Sequence, residues 1–378
     1  MEPSEGVTLP ERMCCLLRKS LYGLKQSPRE WHICLTKFLE SQGFKRTNFD
    51  PCLFFRQEPL CFIDIYVDDL FLFAKEDQYL KKIIQELSNK FKITDAGPIS
   101  FGLGIHFTWT DKGLYLSQEA YLRSILDRYG FSECRTVGTP LEPNSSLHKG
   151  TPEEALDDIS KYQSIVGSLM YAALGTRPDL AFPVMVLSQY SSCPTEAHLT
   201  AAKRVLRYLA HTINWKLFYP SKASPSLIGY ADASYASCPD DRRSFMGNVF
   251  FLNDCAITWT SQKQKSVAVS TTEAEYMALS VATRQAIWLS NGLTEIGSPL
   301  VPHIFCDNQG SLSLSKNLEI HKRSKHIDMY YYFIREKVDE NQVTISYIPS
   351  KDNTADIFTK ALGKPEFLSF CSQLLCTE

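Results

Sequence analysis

Hydrophobic periodicity divides the chain into stretches of different pattern. Near the start, a helical spacing of apolar residues predicts helices over residues 20–39 and 77–91, with apolar strand-like runs at 53–55, 60–67 and 70–73 between them. The middle keeps the helical spacing and predicts helices over 121–129, 162–173 and 196–211. A Ser/Pro-rich stretch at 221–226 then marks a change of pattern.

The pattern after this stretch is typical of a layered α/β domain. Strands are predicted at 227–231, 245–252, 256–260, 303–306 and 343–348, and helices at 271–289, 325–338 and 352–362. Three strands followed by alternating helices and strands predict a mixed sheet with helices packed on it. The chain as a whole is therefore predicted to be of the α+β or α/β class.

Composition narrows the class of protein. The 378 residues leave room for two or three domains, and 44% hydrophobic with 22% charged residues is an ordinary globular mixture. The net charge of −2 excludes a uniformly basic nucleic-acid coat but allows a local basic groove. The 12 cysteines form no C-x-x-C pair, which disfavours zinc ribbons. The sequence shows neither a secretion signal nor an apolar run of membrane-spanning length, so an intracellular protein with reduced thiols is expected.

Two adjacent carboxylates, Asp68 and Asp69, interrupt the apolar runs of the first stretch. They follow Tyr66 at a tight turn, where either a solvated hairpin tip or a divalent metal site would explain them. Asp64 precedes them, and because side chains alternate along a strand, Asp64 and Asp68 are predicted to share a face. The residues by themselves leave both explanations open.

A second set of acids follows the predicted strands of the last stretch. Asp232 comes after strand 227–231 and Asp307 after strand 303–306. If these strands are parallel neighbours, both carboxylates lie at the carboxyl edge of the sheet, where α/β proteins place their sites. The alternative for each is an ordinary helix cap or turn.

Two further acids are candidates for the same edge. Ser270 and Glu273 have the spacing of a helix capping box, whereas Glu275 lies on the other side of the helix with an apolar face expected to pack on the sheet. Glu275 is therefore predicted to be the functional carboxylate. Asp356 falls in the first turn of the last predicted helix, where a favourable interaction with the helix dipole is the simpler explanation.

Several ordered motifs carry a family resemblance. YVDDL at 66–70 resembles the Y-x-D-D motif of reverse transcriptases, and SLYGLKQSPREW at 20–31 resembles the corresponding segment of copia-type LTR retrotransposon Pol polyproteins. The same family is matched by DPCLF, SIVGSLMY, TRPD and KRVLRYL at 50–54, 164–171, 176–179 and 203–209. The resemblance runs from about residue 14 to residue 362.

The resemblance implies a division of the chain and a chemistry. The implied parts are a partial reverse-transcriptase palm at 1–116, a helical thumb or connection at 117–222, a ribonuclease H domain at 223–362 and a C-terminal tail at 363–378. The four acids Asp232, Glu275, Asp307 and Asp356 would hold two Mg²⁺ (or Mn²⁺) ions for hydrolysis of the RNA strand of RNA–DNA hybrids. Many cellular relatives of the ribonuclease H domain carry a His in the loop before the last Asp, but here that loop, residues 350–353, contains none.

The polymerase part carries an incomplete set of acids. In the family, Asp68 and Asp69 would be palm metal ligands, with Gly23, Gln26 and Tyr66 near the nucleotide and template-primer. A further palm Asp normally precedes the segment at 20–31, where the only acids are Glu2, Glu5 and Glu11. We therefore expect no polymerisation by this chain alone, and binding of dNTP only if an upstream Pol fragment completes it. The alternative is a retroelement remnant that binds nucleic acid without catalysis.

Local basic residues suit contact with a phosphate backbone, although each could equally lie on a solvated face. The candidates are Arg243, Lys263, Lys265, Lys325 and His326. By family resemblance the protein is expected in cytoplasmic virus-like particles and in the nucleus, with no membrane as a partner.

Overall fold

The computed structural model describes residues 10, 16–21, 23–143, 145, 147–310 and 328–377, without the side chains of 328–331. Lys325 and His326 therefore lie outside the described residues. The chain forms two compact units, one reaching Gly97 and including residues 292–298, and one formed by residues 98–291 and from 299 onward. The domain boundaries expected at 116, 222 and 362 remain predictions.

The first unit is an antiparallel sheet with two helices. Its strands lie in the order β1-β2-β3-β4, namely Lys45–Arg46, Leu53–Arg56, Cys61–Tyr66 and Asp69–Ala74. Helices α1 (Ser27–Ser41) and α2 (Asp77–Lys90) contribute Leu35, Leu39, Ile83 and Leu87 to a core that also contains Ile63 of β3. Helix α1 begins at Ser27, not at residue 20 as predicted, because Pro28 occupies the first turn, where no backbone N–H is needed.

The second unit begins with another antiparallel sheet and a group of helices. Strands β5 to β8 pair in chain order, at Phe101–Gly102, Ile105–Thr110, Gly113–Ser117 and Leu217–Pro220. The helices are α3 (Glu119–Tyr129), α4 (Ser160–Gly175), α5 (Ala181–Ser188) and α6 (Glu196–His211). Helix α5 and strand β8 were not predicted. For α5 the reason is that it is apolar on all sides and therefore shows no amphipathic period.

A five-stranded mixed sheet follows in the same unit. Its strands β9 to β13 are Leu227–Ser234, Phe245–Leu252, Cys255–Lys263, His303–Cys306 and Thr344–Tyr347, in the order β11-β10-β9-β12-β13. The first three are antiparallel, whereas β12 is parallel to both β9 and β13. Helices α7, α8 and α9 are Thr271–Glu295, Asp328–Asp339 and Lys364–Leu374. This strand order is that of the ribonuclease H fold, and the predicted mixed α/β class is confirmed.

The predicted helix over 352–362 is wrong. The segment instead forms two 3₁₀ helices, Ser350–Asp352 and Thr354–Phe358. Between them, Asn353 accepts a hydrogen bond from the backbone of Ala355 and donates one to the carbonyl oxygen of Ala231, 3.0 Å away. This tie to β9 holds the loop against the sheet and favours the tighter turn over a free α-helix.

The residues after 362 belong to the core of the second unit. Helix α9 buries Phe367, Phe370, Cys371 and Leu374, and Cys376 forms a β-bridge with Lys216. The segment set apart in sequence as a tail is thus a packed helix. Across the described ranges, every helix is too short or too polar to cross a bilayer.

A buried ion pair joins two of the family motifs. Arg177, fully buried, donates to both carboxylate oxygens of Asp179, at 2.9 and 2.6 Å, and to the backbone and hydroxyl oxygens of Thr212. Tyr208 donates its hydroxyl to Asp179 at 2.6 Å. The TRPD and KRVLRYL motifs therefore meet in the interior through a hydrogen-bonded network. These residues stabilise the fold of the second unit.

Candidate metal centre

Three aspartates converge at the carboxyl edge of the mixed sheet. Asp232 lies within β9, which continues past the predicted end at 231, and Asp307 follows β12 directly. Because β9 and β12 are parallel, with Tyr230 opposite Phe305, the two carboxylates reach the same edge. Asp356 comes from the second 3₁₀ helix, and one oxygen of each of the three lies within 4.8 Å of the others.

Glu275 borders this group from the first turns of α7. The backbone N–H of Ala233 donates to its carboxylate, and burial together with the charges of Asp232 and Asp307 raises its pKa well above the ordinary value. The structure therefore places all four predicted carboxylates in one neighbourhood of the second unit.

Glu273 has the capping role predicted for it, and its side chain is buried. Its backbone N–H is bonded to the Ser270 hydroxyl at 3.1 Å, and its carboxylate accepts from the N–H of Val269 at 2.6 Å. Glu273 is 6% exposed and Ser280 1%, so this face of α7 is buried and not solvated. The carboxylate of Glu273 thus accepts a capping hydrogen bond, whereas the carboxylate of Glu275 experiences the negative charges of Asp232 and Asp307.

Burial and mutual repulsion both oppose ionisation of the cluster. Burial and the neighbouring charge of Asp232 raise the pKa of Asp356 to about 8, and burial likewise raises the pKa of Asp232. Asp356 is 2% exposed, and its Oδ1 atom has no hydrogen-bond partner. Buried carboxylates with an unsatisfied oxygen are the environment that a bound divalent cation would neutralise.

Two residues that the sequence analysis missed complete the site. Lys360 places its Nζ 2.8 Å from Oδ2 of Asp356, and Thr359 donates its hydroxyl to Asp232. The four-residue spacing of Asp356 and Lys360 was the only available signal, and such pairs are common on ordinary surfaces.

The other acid pair lies on a hairpin of the first unit. Tyr66 pairs with Asp69, so Val67 and Asp68 form a two-residue turn, and both acids are exposed. Asp68 is in the turn and not on β3, so the strand rule that would align it with Asp64 does not apply. Asp64 lies opposite Leu53 and Phe71, and burial followed by the charge of Asp50 raises its pKa.

The predicted nucleotide-side residues lie near the start of α1 and at the hairpin. Gly23 has a φ of +90°, a left-handed conformation that favours glycine, and Gln26 directly precedes α1. Tyr66 ends β3 with 55% of its surface exposed. Helix α1 is tied to the hairpin because Trp31 donates its Nε1–H to the carbonyl of Val67 at 3.0 Å.

The predicted basic contacts are partly neutralised within the chain. Asp241, which the sequence analysis did not consider, lies 3.0 Å from Nζ of Lys263 and 3.6 Å from Nε of Arg243. Burial opposes ionisation of Asp241, but hydrogen bonds with Cys238, Lys263 and the backbone of Arg243 lower its pKa to about 2. Lys265 is exposed.

A family model described as reverse transcriptase (RNA-dependent DNA polymerase) matches residues 2–143. The Pol polyprotein of transposon TNT 1-94 from Nicotiana tabacum is 38% identical over 99% of this chain, which spans only 29% of that polyprotein. A transposon Ty5-1 protein of Saccharomyces cerevisiae is 35% identical over 69% of this chain and 85% of its own length.

Among solved structures, LC11-RNase H1 resembles 36% of this chain over 94% of its own length, with 16% identity and a TM-score of 0.30. The alignment with the tobacco polyprotein includes both the YVDD hairpin of the first unit and the carboxylate edge of the second. The chain belongs to the copia-type retrotransposon Pol polyproteins.

Proposed function

We propose that the second unit hydrolyses the RNA strand of RNA–DNA hybrids with the help of Mg²⁺ or Mn²⁺. The observation that carries this proposal is the convergence of Asp232, Asp307 and Asp356 within 4.8 Å at the carboxyl edge of a sheet with ribonuclease H strand order. Glu275 beside them adds a fourth carboxylate. Oxygen donors of this kind are the preferred ligands of Mg²⁺.

The residues present fit such an ion. The unpartnered Oδ1 of buried Asp356 is an acceptor that the protein leaves unsatisfied, at a cost of about 1–3 kcal/mol for a buried polar group. Bound Mg²⁺ would lower the pKa of a water molecule and stabilise developing negative charge on the phosphate. The chain itself holds the four carboxylates in place. Strands β9 and β12 position Asp232 and Asp307, and α7 positions Glu275. The loop of Asp356 is bonded to β9 through Asn353.

Substrate would be held through its backbone. We propose that Arg243, Lys263 and Lys265 contact phosphate oxygens of the hybrid, which would position the duplex without reading its sequence. Arg243 lies just before β10, and Lys263 is the last residue of β11; both strands belong to the same sheet as β9, which carries Asp232. Lys265 is exposed just beyond β11.

The test is digestion of a labelled RNA–DNA hybrid by the full chain with Mg²⁺. Asp307→Asn should abolish cleavage, whereas Asp254→Asn should cleave as the unaltered chain does. Asp254 is a suitable control because it lies in the β10–β11 turn at a φ of +64°, a conformation that Asn tolerates. Equal cleavage by the Asp307 variant, or no cleavage by any protein, would contradict the proposal. Hybrid binding that persists without metal-dependent turnover would favour the non-catalytic remnant instead.

For the first unit, we propose that Asp68 and Asp69 are metal-binding carboxylates of a polymerase site. Support comes from their exposure on a tight hairpin that α1 holds through Trp31. The test is primer extension by this chain supplemented with an upstream Pol fragment, template-primer and dNTP. Extension that depends on Asp68 would support the role, and extension unaffected by Asp68→Asn would refute it.

A further inference from the structure

Lys360 places a positive charge inside the carboxylate cluster. Its Nζ lies 2.8 Å from Oδ2 of Asp356, whose side chain is 2% exposed, while the Lys360 side chain is 40% exposed. Asp232 and Asp307 also attract the ammonium group. The lysine therefore reaches from solvent into the position where a cation is attracted by three aspartates.

The ammonium group of Lys360 and a divalent ion would both be attracted by the negative charge of the same carboxylates. Carboxylates this close repel one another, and a fixed positive charge offsets part of that repulsion. Oδ1 of Asp356 stays without a partner even with Lys360 in place, so the lysine satisfies only one of the two oxygens. A metal ion bound to Asp356 would meet the ammonium group at short range, and like charges repel most strongly at such distances.

The loop itself does not depend on Lys360. Asn353 bonds to the carbonyl of Ala231 and Thr359 donates to Asp232, so two other side chains anchor the segment to β9. The long flexible stem of a lysine also lets its charged end move toward water without movement of the backbone. Lys360 is therefore not needed to anchor this segment to the sheet, and its charged end is able to move.

We propose that Lys360 is an internal competitor for the metal site: it occupies the cation position of the metal-free cluster, weakens the affinity for divalent ions, and withdraws toward solvent when an ion binds. This inference rests on the proposed metal binding by the second unit. It makes Lys360 a positioning residue, since it acts on the carboxylates.

The experiment is a calorimetric titration of Mn²⁺ into the full chain and its variants, without substrate. Lys360→Met removes the charge and keeps the length of the side chain, and should bind Mn²⁺ about tenfold more tightly, equivalent to about 1.4 kcal/mol. Lys360→Arg keeps the charge and should bind about as weakly as the unaltered chain. Lys351→Met, which alters an exposed lysine of the neighbouring 3₁₀ helix, should leave the affinity unchanged.

Thermal unfolding gives a second readout. In the presence of a chelator, Lys360→Met should melt at a lower temperature than the unaltered chain, because the carboxylates lose their counter-charge. On addition of Mn²⁺ its melting temperature should rise by more than that of the unaltered chain. If Lys360→Met does not fold, Lys360→Gln tests the same loss of charge with a polar side chain.

The outcomes distinguish the two proposals. If the unaltered chain binds Mn²⁺ and the neutral variants bind no more tightly, the competitor role is overturned while metal binding stands. If neither the unaltered chain nor any variant binds Mn²⁺, both proposals fail. Tighter binding of Mn²⁺ by the neutral variants, together with unchanged binding by Lys360→Arg, supports the competitor role.

Discussion

Trp31 and Val67 are joined by a hydrogen bond of 3.0 Å from the indole Nε1 to the carbonyl oxygen at the tip of the YVDD hairpin. Val67 adopts a φ of +55°, which a β-branched residue rarely does. The tryptophan that closes the SLYGLKQSPREW motif thus fixes the backbone of the residue just before Asp68. Through two residues 36 positions apart, the two motifs are in this way parts of one local structure.

Replacing Trp31 by Phe should loosen this hairpin. The variant keeps the aromatic packing of Trp31 against Phe91 but loses the hydrogen bond, at a cost of about 1 kcal/mol. Hydrogen exchange of the backbone amides at 66–70 should become faster. Trp109→Phe removes an equivalent bond of 3.0 Å to Ile99 and should leave these amides unchanged. Unaltered protection in Trp31→Phe would show that the bond does not hold the turn.

The Arg177–Asp179 pair should be essential for stability of the second unit. Arg177→Met leaves the carboxylate of Asp179 buried with one partner fewer, and we expect a loss of about 3–5 kcal/mol in the free energy of unfolding. Arg123→Met breaks an exposed pair with Glu119 and should cost at most about 1 kcal/mol. Urea unfolding compares the two, and equal losses would contradict a structural role for the buried pair.

Gly247 lies under the 3₁₀ helix that carries Asp356. A Cβ at this position would come 2.4 Å from Cβ of Phe358 and 3.2 Å from its carbonyl group, so Gly247→Ala must displace that helix. We expect a destabilisation of about 1–3 kcal/mol and a smaller rise in melting temperature on addition of Mn²⁺.

Gly167 provides the matched control for this substitution. It lies in α4, and an added Cβ would meet no atom within 4 Å, so Gly167→Ala should stabilise the chain by up to about 1 kcal/mol. If thermal unfolding showed the two variants to be alike, close packing of Phe358 on β10 would not be what positions Asp356.

Asp241 should restrain the affinity for nucleic acid. Asp241→Asn removes the charge that pairs with Lys263 and Arg243, so the hybrid should bind more tightly and with a steeper salt dependence, by about 0.9 in the logarithmic slope for each additional phosphate contact. Because the pKa of Asp241 is about 2, the carboxylate is ionised above that pH, and the difference should be the same at pH 6 and pH 8.

Fluorescence anisotropy at several salt concentrations measures this effect, with catalysis prevented by a chelator. Asp254→Asn removes a carboxylate from the β10–β11 turn of the same sheet and serves as the control. An affinity that rises equally in both variants would reflect net charge alone and would refute a specific restraint by Asp241.

The sequence by itself determined the elements whose signals are local. The period of apolar residues predicted α6 and β10 with their observed bounds, and the strands of the last sheet followed from the alternation of patterns. It also singled out Asp232 and Asp307, which directly follow apolar strands, and Glu275, on the apolar face of a helix, whereas Asp356 joined them only through the family resemblance.

Only the tertiary structure decided which groups surround these acids. Asn353 bonds to a carbonyl 122 residues earlier, and the segment predicted as an α-helix forms 3₁₀ helices that bring the carboxylate of Asp356 to the edge of the sheet. The burial of Glu273 and the pairing of Asp241 with Lys263 likewise depend on neighbours brought together by folding. Periodicity reports the environment of a residue averaged over a helix or strand, whereas the charge balance of a site depends on single distances between segments far apart in the chain.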